Sequence, residues 1–145
     1  MRITIVALVI AAMSVSGLAG TTHAERPRIL RIAPPAVHFG TKAIGSFTIL
    51  GTTITNSGSS SVRLLVSIES MPDDFSFGLL PGSTCPSLEP ALLGPGESCR
   101  AVVGFRPSDY FAGQEQHARL RATAADPGTG AVLESVLIEW TGTGR

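Results

Sequence analysis

The sequence contains few of the residues from which enzymes build metal and nucleophile sites. It has two cysteines, three histidines, one tryptophan and one tyrosine in 145 residues. Neither His38 nor His117 is spaced for joint metal binding with another histidine or a cysteine. No glycine-rich phosphate loop precedes a helix pattern, and there is no nucleophile elbow. These absences predict a protein that is not an enzyme and that uses no cofactor or metal.

The balanced charge of the chain argues against partners that are attracted by a large net charge. The 11 basic residues balance the 11 acidic ones, so the formal net charge is zero. Without Arg2, ten basic and eleven acidic residues remain. We therefore expect no nucleic-acid partner and no attraction to anionic lipid. Asp73 and Asp74 are adjacent, and their side chains diverge on an extended chain, which favours a solvated turn over a weak calcium site.

Residues 1–24 have the pattern of a secretory signal peptide. Arg2 precedes an apolar run over residues 3–12, and Thr22, His23 and Ala24 form a cleavage site with small residues at the two decisive positions. The apolar run is roughly half the length that a membrane-spanning helix needs. An uncleaved membrane anchor is the alternative. We predict export to the periplasm, the cell surface or the medium, with residues 25–145 forming one domain and no membrane span left after cleavage.

Short runs of alternating apolar and polar residues fill the rest of the chain, separated by turns rich in glycine and proline. The cleanest run is residues 62–70, in which Val62, Leu64, Val66 and Ile68 share one face. Residues 99–105, 116–124 and 132–140 alternate in the same way, and no helical pattern is present. About seven strands result, which predicts an all-β immunoglobulin-like sandwich. Residues 141–144 are expected to fray from its end.

The only two cysteines, Cys85 and Cys99, enclose most of a proline-rich loop that spans residues 78–97. Two cysteines in an exported protein most simply pair with each other. A loop of this length needs a tether, and closing about 15 residues with a disulfide stabilises a fold by roughly 3 kcal/mol. Free thiols or an intermolecular bridge are the alternative.

Five spaced motifs point to a known family. They are Val37, Phe39, Gly40 and Gly45; Thr-Ile-Thr-Asn-Ser-Gly over residues 53–58; Leu-Gly-Pro-Gly-Glu-Ser-Cys over residues 93–99; Val103, Phe105 and Pro107; and Trp-Thr-Gly-Thr-Gly over residues 140–144. Together they resemble the bacterial exported immunoglobulin-like domains of the ASPM–SPD-2–Hydin (ASH) type, found in choice-of-anchor D proteins. That family is related in architecture to the major sperm protein (MSP) and to periplasmic pilus chaperones of the PapD type.

The resemblance extends over nearly all of residues 25–145 and departs from the family in two places. Residues 79–84 are weakly patterned, and Trp140 is bulkier than the aliphatic residue usual before the terminal Thr-Gly-Thr-Gly. The resemblance implies a structural or binding module, with no catalytic residues to carry over to this chain.

Two sets of side chains are candidates for contact with a partner. Leu88 and Leu92 lie in the stapled loop, which is long and pre-ordered, although the staple can equally serve stability alone. The second set is four arginines on the outward faces of two consecutive strands: Arg100, Arg106, Arg119 and Arg121. If those strands are neighbours, the arginines form one basic patch suited to an acidic partner or a polyanionic glycan. The alternative is solvent-facing charge that protects the sheet from edge pairing.

These observations predict a non-enzymatic exported module with a structural or protein-interaction role at the cell envelope, where its partner is a protein. The alternative is a pilus or adhesin-type subunit, or a strand-donating partner. Subunits of that kind lack their own final strand, whereas residues 132–140 supply one here. A small secreted hydrolase is disfavoured because no nucleophile and base are arranged for catalysis.

Overall fold

A computed structural model describes residues 26–70 and 76–145 of the chain. Their only helix is a short 3-10 turn, Asp109–Phe111, and the remaining regular structure is all strand. The nine strands are β1 Leu30–Ala33, β2 Ala36–Lys42, β3 Thr48–Asn56, β4 Val62–Ser70, β5 Phe77–Leu79, β6 Ala91–Leu93, β7 Ser98–Phe105, β8 Glu115–Ala125 and β9 Val132–Gly144. The predicted signal peptide and the Asp73-Asp74 pair lie outside the described residues.

The strands form two sheets, as predicted for an immunoglobulin-like sandwich. One sheet has four strands in the order β1-β3-β7-β5, and the other has five in the order β2-β9-β8-β4-β6. All pairs are antiparallel except β2 with β9, which run parallel. The prediction of about seven strands differs from the nine found mainly because the three-residue β6 lies inside the predicted loop.

Alternation along the strands places the apolar side chains between the two sheets, as predicted. Leu64 and Val66 of β4, Val103 of β7 and Leu120 of β8 are all fully buried. An aromatic cluster fills one end of this core, with ring centroids 4.7–6.0 Å apart; its members are Phe39, Phe77, Phe105 and Trp140. Three buried alanines on β8, Ala118, Ala122 and Ala124, leave room for these large rings. In the described part of the chain, no helix is long and apolar enough to cross a membrane.

The prediction that residues 141–144 fray is wrong. They belong to β9, where they pair with β2 on one side and with β8 on the other. The glycines make this possible, because a Cβ atom at Gly142 would lie 2.6 Å from the Phe105 ring, and one at Gly144 would lie 2.6 Å from Pro107. The terminal Thr-Gly-Thr-Gly therefore packs closely against the core.

The predicted disulfide between Cys85 and Cys99 is present, and both cysteines are buried. The predicted loop over residues 78–97, which it tethers, covers a sheet edge on each side. Its start runs along β7, where the Leu80 amide donates to the Val102 carbonyl and the Thr84 amide to the Arg100 carbonyl, each at 2.8 Å. Its end returns to the other sheet as β6, which pairs with β4. The staple thus fastens a cover over one side of the sandwich.

Candidate functional site

On the opposite side of the sandwich, part of the last strand has an uncovered edge. Residues 132–138 of β9 pair with β8, but β2 begins to pair with β9 only at Glu139, which lies opposite Ala36. No strand among the described residues pairs with the other edge of residues 132–138, which we call the open edge. Such an edge presents N–H and C=O groups to which another chain can add a strand.

The open edge follows from the Pro34-Pro35 pair. Proline has no N–H to donate to a ladder, so the first strand is interrupted after Ala33. The chain pairs with β3 of the four-stranded sheet up to that residue and joins the five-stranded sheet from Ala36 onward. Because β1 stays in the other sheet, no described strand pairs with this edge of the first half of β9.

A groove separates the open edge from β1. Its volume is about 390 Å³, and it is lined by Arg28, Leu30, Arg31, Ile32, Pro35, Ser57, Val136 and Leu137. A second depression of about 430 Å³ continues past Arg28 and Ser57 toward Leu133 and Asp126. Aliphatic side chains supply most of the lining near the edge, and two arginines supply positive charge.

Glu134 holds the two walls of the groove together. Its Oε2 accepts hydrogen bonds from the backbone amides of Ile29 at 2.8 Å and Leu30 at 2.7 Å. A side chain therefore spans the gap that a directly paired strand would close. This carboxylate fixes the start of β1 beside β9 without using the backbone of the open edge.

Exposed aliphatic side chains accompany the open edge. Val132, Leu133 and Leu137 have exposed fractions of 64%, 47% and 45%. Apolar groups clustered on a soluble domain are typical of interaction sites. The four edge strands are less suited to strand addition, because β1, β5 and β6 have only three or four residues and β2 contains a bulge and ends in a lysine. Residues 48–52 of β3, beyond its pairing with β1, form a second uncovered stretch, which is shorter than the open edge.

The four predicted arginines do not form one patch, so that hypothesis is wrong. Arg100 lies on β7 and Arg106 directly follows it, whereas Arg119 and Arg121 lie on β8 in the other sheet. The connection between the two strands crosses from one layer to the next, so their outward faces point in opposite directions. Adjacency in sequence does not make strands neighbours in a sandwich.

Arg119 and Arg121 are engaged in ion pairs across their own sheet. The Arg119 Nε lies 3.5 Å from Glu139 Oε1, and the Arg121 Nη2 donates to Glu69 Oε2 at 3.1 Å. The hydrogen bond from Arg121, together with its charge, holds the pKa of Glu69 below its usual value. A contact role for these two arginines remains a prediction, and they have less charge to offer a partner than an unpaired arginine.

The remaining predicted residues occupy different parts of the surface. Leu88 and Leu92 project from the stapled loop with exposed fractions of 95% and 65%, and their contact role stays a prediction. His38 lies exposed on β2, with its Nδ1 2.8 Å from the Thr141 hydroxyl. His117 lies 3.4 Å from Glu115. Within residues 26–70 and 76–145, no group of three His, Cys, Asp or Glu side chains is placed to hold a metal ion.

The open edge escaped the sequence analysis for a physical reason. Residues 132–138 alternate whether or not a second strand pairs with them, so Val136 and Leu137 look like ordinary strand residues. Pro34-Pro35 was the only local signal, since it marks where the first strand is interrupted. That signal does not say which later strand loses a partner.

Comparison with known proteins identifies the fold. No family model matches the chain, and no curated protein matches it. Among solved structures, the ASH/PapD-like domain 7 of human CEP192 is 14% identical, over 93% of this chain and 98% of that one, with a TM-score of 0.60. The YadV chaperone is 9% identical over 81% of this chain and 53% of its own, with a TM-score of 0.58.

Two further kinds of protein share the architecture. MSP family members of Caenorhabditis elegans match the chain. The VesB protease of Vibrio cholerae is 15% identical over 79% of this chain but only 32% of its own, with a TM-score of 0.56. At these identities the similarity concerns the fold alone, and it confirms an immunoglobulin-like sandwich with the architecture that ASH, MSP and PapD-like domains share.

Proposed function

We propose that this ASH/PapD-like sandwich is a non-enzymatic protein-interaction module that is exported to the cell envelope. Its partner binds by adding an extended segment to the open edge of β9. Backbone hydrogen bonds supply affinity in this mode, and alternate side chains of the added strand enter the groove and supply specificity. The aliphatic lining suits apolar side chains, and Arg28 and Arg31 suit an acidic one.

The observation that carries the proposal is the unpaired edge of residues 132–138. Seven strand residues, with a register shift between Val132 and Glu134, lie beside a groove and have exposed aliphatic side chains next to them. Proteins usually shorten, bulge, charge or cover an edge that must not pair. The four edge strands are short or bulged, whereas the open edge is seven residues long and no described strand covers it, although its register shifts beside Leu133.

Several chaperones with the same fold support a protein partner. One of these structures is the Salmonella enterica SafA pilin in complex with the SafB chaperone, and this chain spans 54% of the matched chain's length. The buried disulfide supports export, because disulfides persist in oxidising compartments. The signal-peptide pattern of residues 1–24 supports the same location.

A pilus or adhesin-type subunit, or a strand-donating partner, is the second candidate. Against a subunit of the incomplete kind stands β9, which runs for 13 residues and pairs with β8 along nearly all of its length. The chain therefore needs no borrowed last strand. A strand-donating role is compatible with the open edge. When a partner's strand pairs with β9, β9 in turn becomes an added strand of the partner's sheet.

The experiment compares two lysine substitutions at exposed leucines. The tagged full-length chain is expressed in its own host, the envelope fraction is isolated, and the protein that co-purifies is identified and then measured with purified components. Leu137→Lys places a charge on the open edge and should weaken that binding at least about tenfold, which corresponds to ~1.4 kcal/mol. Leu92→Lys is the matched control on the stapled loop and should leave it unchanged.

Each other outcome contradicts the proposal. Loss of binding with Leu92→Lys alone would assign the contact to the stapled loop. Unchanged binding in both variants would place the contact away from either surface. Circular dichroism melting of both variants would show that each retains the wild-type fold, since both leucines are exposed.

A further inference from the structure

The outer face of the four-stranded sheet differs in charge from that of the five-stranded sheet. Strands β1, β3, β5 and β7 contain two arginines, Arg31 and Arg100, and no Asp or Glu. The five strands of the other sheet contain four basic and four acidic residues. Cross-strand ion pairs neutralise Arg119 and Arg121 there. Arg31 and Arg100 form no ion pair within the described part of the chain, so this face carries uncompensated positive charge.

Two glycines on this face leave room for larger side chains to lie directly over the strand backbone. A Cβ atom at Gly51 would lie 2.6 Å from the Arg100 Nε and 3.2 Å from its Nη2, so the guanidinium rests directly over the β3 backbone. A Cβ atom at Gly104 would lie 2.6 Å from two outer carbons of the Phe47 ring. Both side chains are therefore held against the sheet before any ligand arrives, which lowers the entropy lost on binding.

The residues around these two glycines divide the face into two halves. One half is apolar: Phe47 and Ile49 are 56% and 52% exposed, and Val102 and Leu80 lie beside them. The other half is polar, where Thr53 pairs with Arg100 and Thr55 with Ser98 across β3 and β7. The Thr55 and Ser98 hydroxyls lie 2.7 Å apart. Side chains on one face of a strand recur about every 7 Å, so the two halves are within reach of one extended ligand.

We propose that this face binds an acidic polysaccharide. A sugar ring packs on Phe47 and Ile49, the carboxylate groups of neighbouring units pair with Arg100 and Arg31, and the Thr53, Thr55 and Ser98 hydroxyls hydrogen-bond to sugar hydroxyls. Arginine offers paired donors that match a carboxylate. The site lies on a different sheet from the open edge of β9 and shares only Arg31 with the lining of the groove, so binding through Phe47 and Arg100 does not depend on the proposed function.

The shape of the face favours a polysaccharide over an acidic protein. Gly104 lies opposite Gly78 of β5, and Gly51 lies opposite Val102, two residues further along β3 and β7, so the floor is shallow there and offers little of a pocket for a protein side chain. Protein interfaces concentrate their energy where large side chains fill such pockets. A flat face with one aromatic ring, hydroxyl groups and arginine guanidinium groups instead suits a ring-shaped, polyhydroxylated and anionic ligand.

The test uses affinity electrophoresis of the purified protein in gels that contain alginate, a polymer of uronic acids, or dextran, a neutral one. Alginate should retard the wild-type chain and dextran should not. Arg100→Gln and Phe47→Ala should each weaken retardation at least about tenfold. Gly51→Ala keeps every charge but displaces the guanidinium, and it should weaken retardation several-fold. Arg63→Gln is the matched control, because Arg63 is an exposed, unpaired arginine on the opposite sheet.

Raising the salt concentration separates the contribution of the charge pairs from that of apolar packing on Phe47. Retardation should weaken as sodium chloride rises toward 0.5 M, because exposed charge pairs are screened. The residual retardation should then depend on Phe47. Equal loss with Arg63→Gln would show attraction to overall charge and overturn the proposal. Absence of retardation by alginate would also overturn the proposal. It would do so even if Arg100 proved necessary for binding a protein or phosphatidylglycerol vesicles, because the ligand of this face would then not be a polysaccharide.

Discussion

Gln116 and Asn56 are both buried amides, and their surroundings differ. Asn56 donates to the Ser60 and Leu93 carbonyls, each at 2.9 Å, and accepts from the Gly58 amide at 3.0 Å. The side chain of Asn56 thus organises the turn after β3. Both polar atoms of the Gln116 side chain are buried and have no hydrogen-bond partner among the described residues. A buried polar group in that state costs stability.

Replacing these two amides should therefore have opposite effects. Gln116→Met keeps the length of the side chain and removes both unpartnered atoms, so the free energy of unfolding should rise by about 1–2 kcal/mol. Asn56→Leu leaves three backbone groups without their partner and should lower it by about 2 kcal/mol or more. Urea unfolding followed by tryptophan fluorescence measures both. Destabilisation by Gln116→Met would show that the amide contributes to the fold.

The Asp126 carboxylate makes the stability of the β8–β9 turn depend on pH. Hydrogen bonds from the Thr129 amide and hydroxyl, and from the Gly128 amide, hold the pKa of Asp126 below its usual value of 3.8. A carboxyl whose pKa is lowered by folding stabilises the fold above its unfolded pKa, and it loses that effect as the pH falls through the folded pKa.

Asp126→Asn should therefore lower the melting temperature at pH 7. The difference from wild type should shrink as the pH falls below about 4 and the wild-type carboxylate becomes protonated. The effect is small, because the side chain is exposed and screened by solvent. Circular dichroism melting between pH 7 and pH 2.5 measures it. A difference that stays constant with pH would contradict the role given to the charged form.

At the scale of elements, the alternation of side chains predicts strand identity and burial well. β4, β7 and β8 are found where their alternating residues place them, and the motif resemblance correctly implied the fold. Alternation along one strand carries no information about its neighbours, however. This is why the sequence left open which strands share a sheet, and why the four arginines could be grouped in one patch only on the condition that their strands are neighbours.

Two other errors at the level of elements also have physical causes. The terminal residues 141–144 have the composition of a mobile tail, yet their glycines are needed where β9 approaches Phe105 and Pro107. β6 is three residues long and depends on pairing with β4, so it has too few residues to show a period. In both cases distant contacts decide the structure.

The close approach of β9 to the core is testable with one methyl group. In Gly142→Ala the new Cβ would overlap Phe105, which is fully buried and stacks against Phe77 at 4.7 Å. Overpacking of this kind should lower the free energy of unfolding by about 1–3 kcal/mol. Gly78→Ala is the control, because no atom lies within 4 Å of its Cβ position. Equal stability of the two variants, measured by urea unfolding, would contradict the packing described for the terminus.

The stapled loop should contribute measurably to stability. The disulfide joins residues 14 apart in sequence, and removing a link that closes a loop of this size costs about 3 kcal/mol. The double variant Cys85→Ala, Cys99→Ala should show this loss in urea unfolding. It should also aggregate more readily, because the released loop covers edges of β7 and β4. Wild-type stability in the double variant would contradict a structural role for the bridge.

At the scale of the whole molecule, the sandwich has one covered side and one open side. The disulfide-bonded loop crosses between the two sheets and occupies an edge of each. On the other side the first strand is interrupted, and no described strand pairs with the open edge of β9. The sequence predicted the stapled loop as the contact region because it is long and ordered. Its backbone groups are largely used within the fold, and those of the open edge are available to another chain.

The most direct test of this account is site-specific photo-crosslinking in the envelope of living cells. A benzophenone-bearing amino acid is introduced at Leu137 in one variant and at Leu92 in another, and the adducts are identified by mass spectrometry. If partners bind by adding a strand to β9, the Leu137 variant forms a discrete adduct with one protein and the Leu92 variant forms none. An adduct from Leu92 without one from Leu137 would contradict the account.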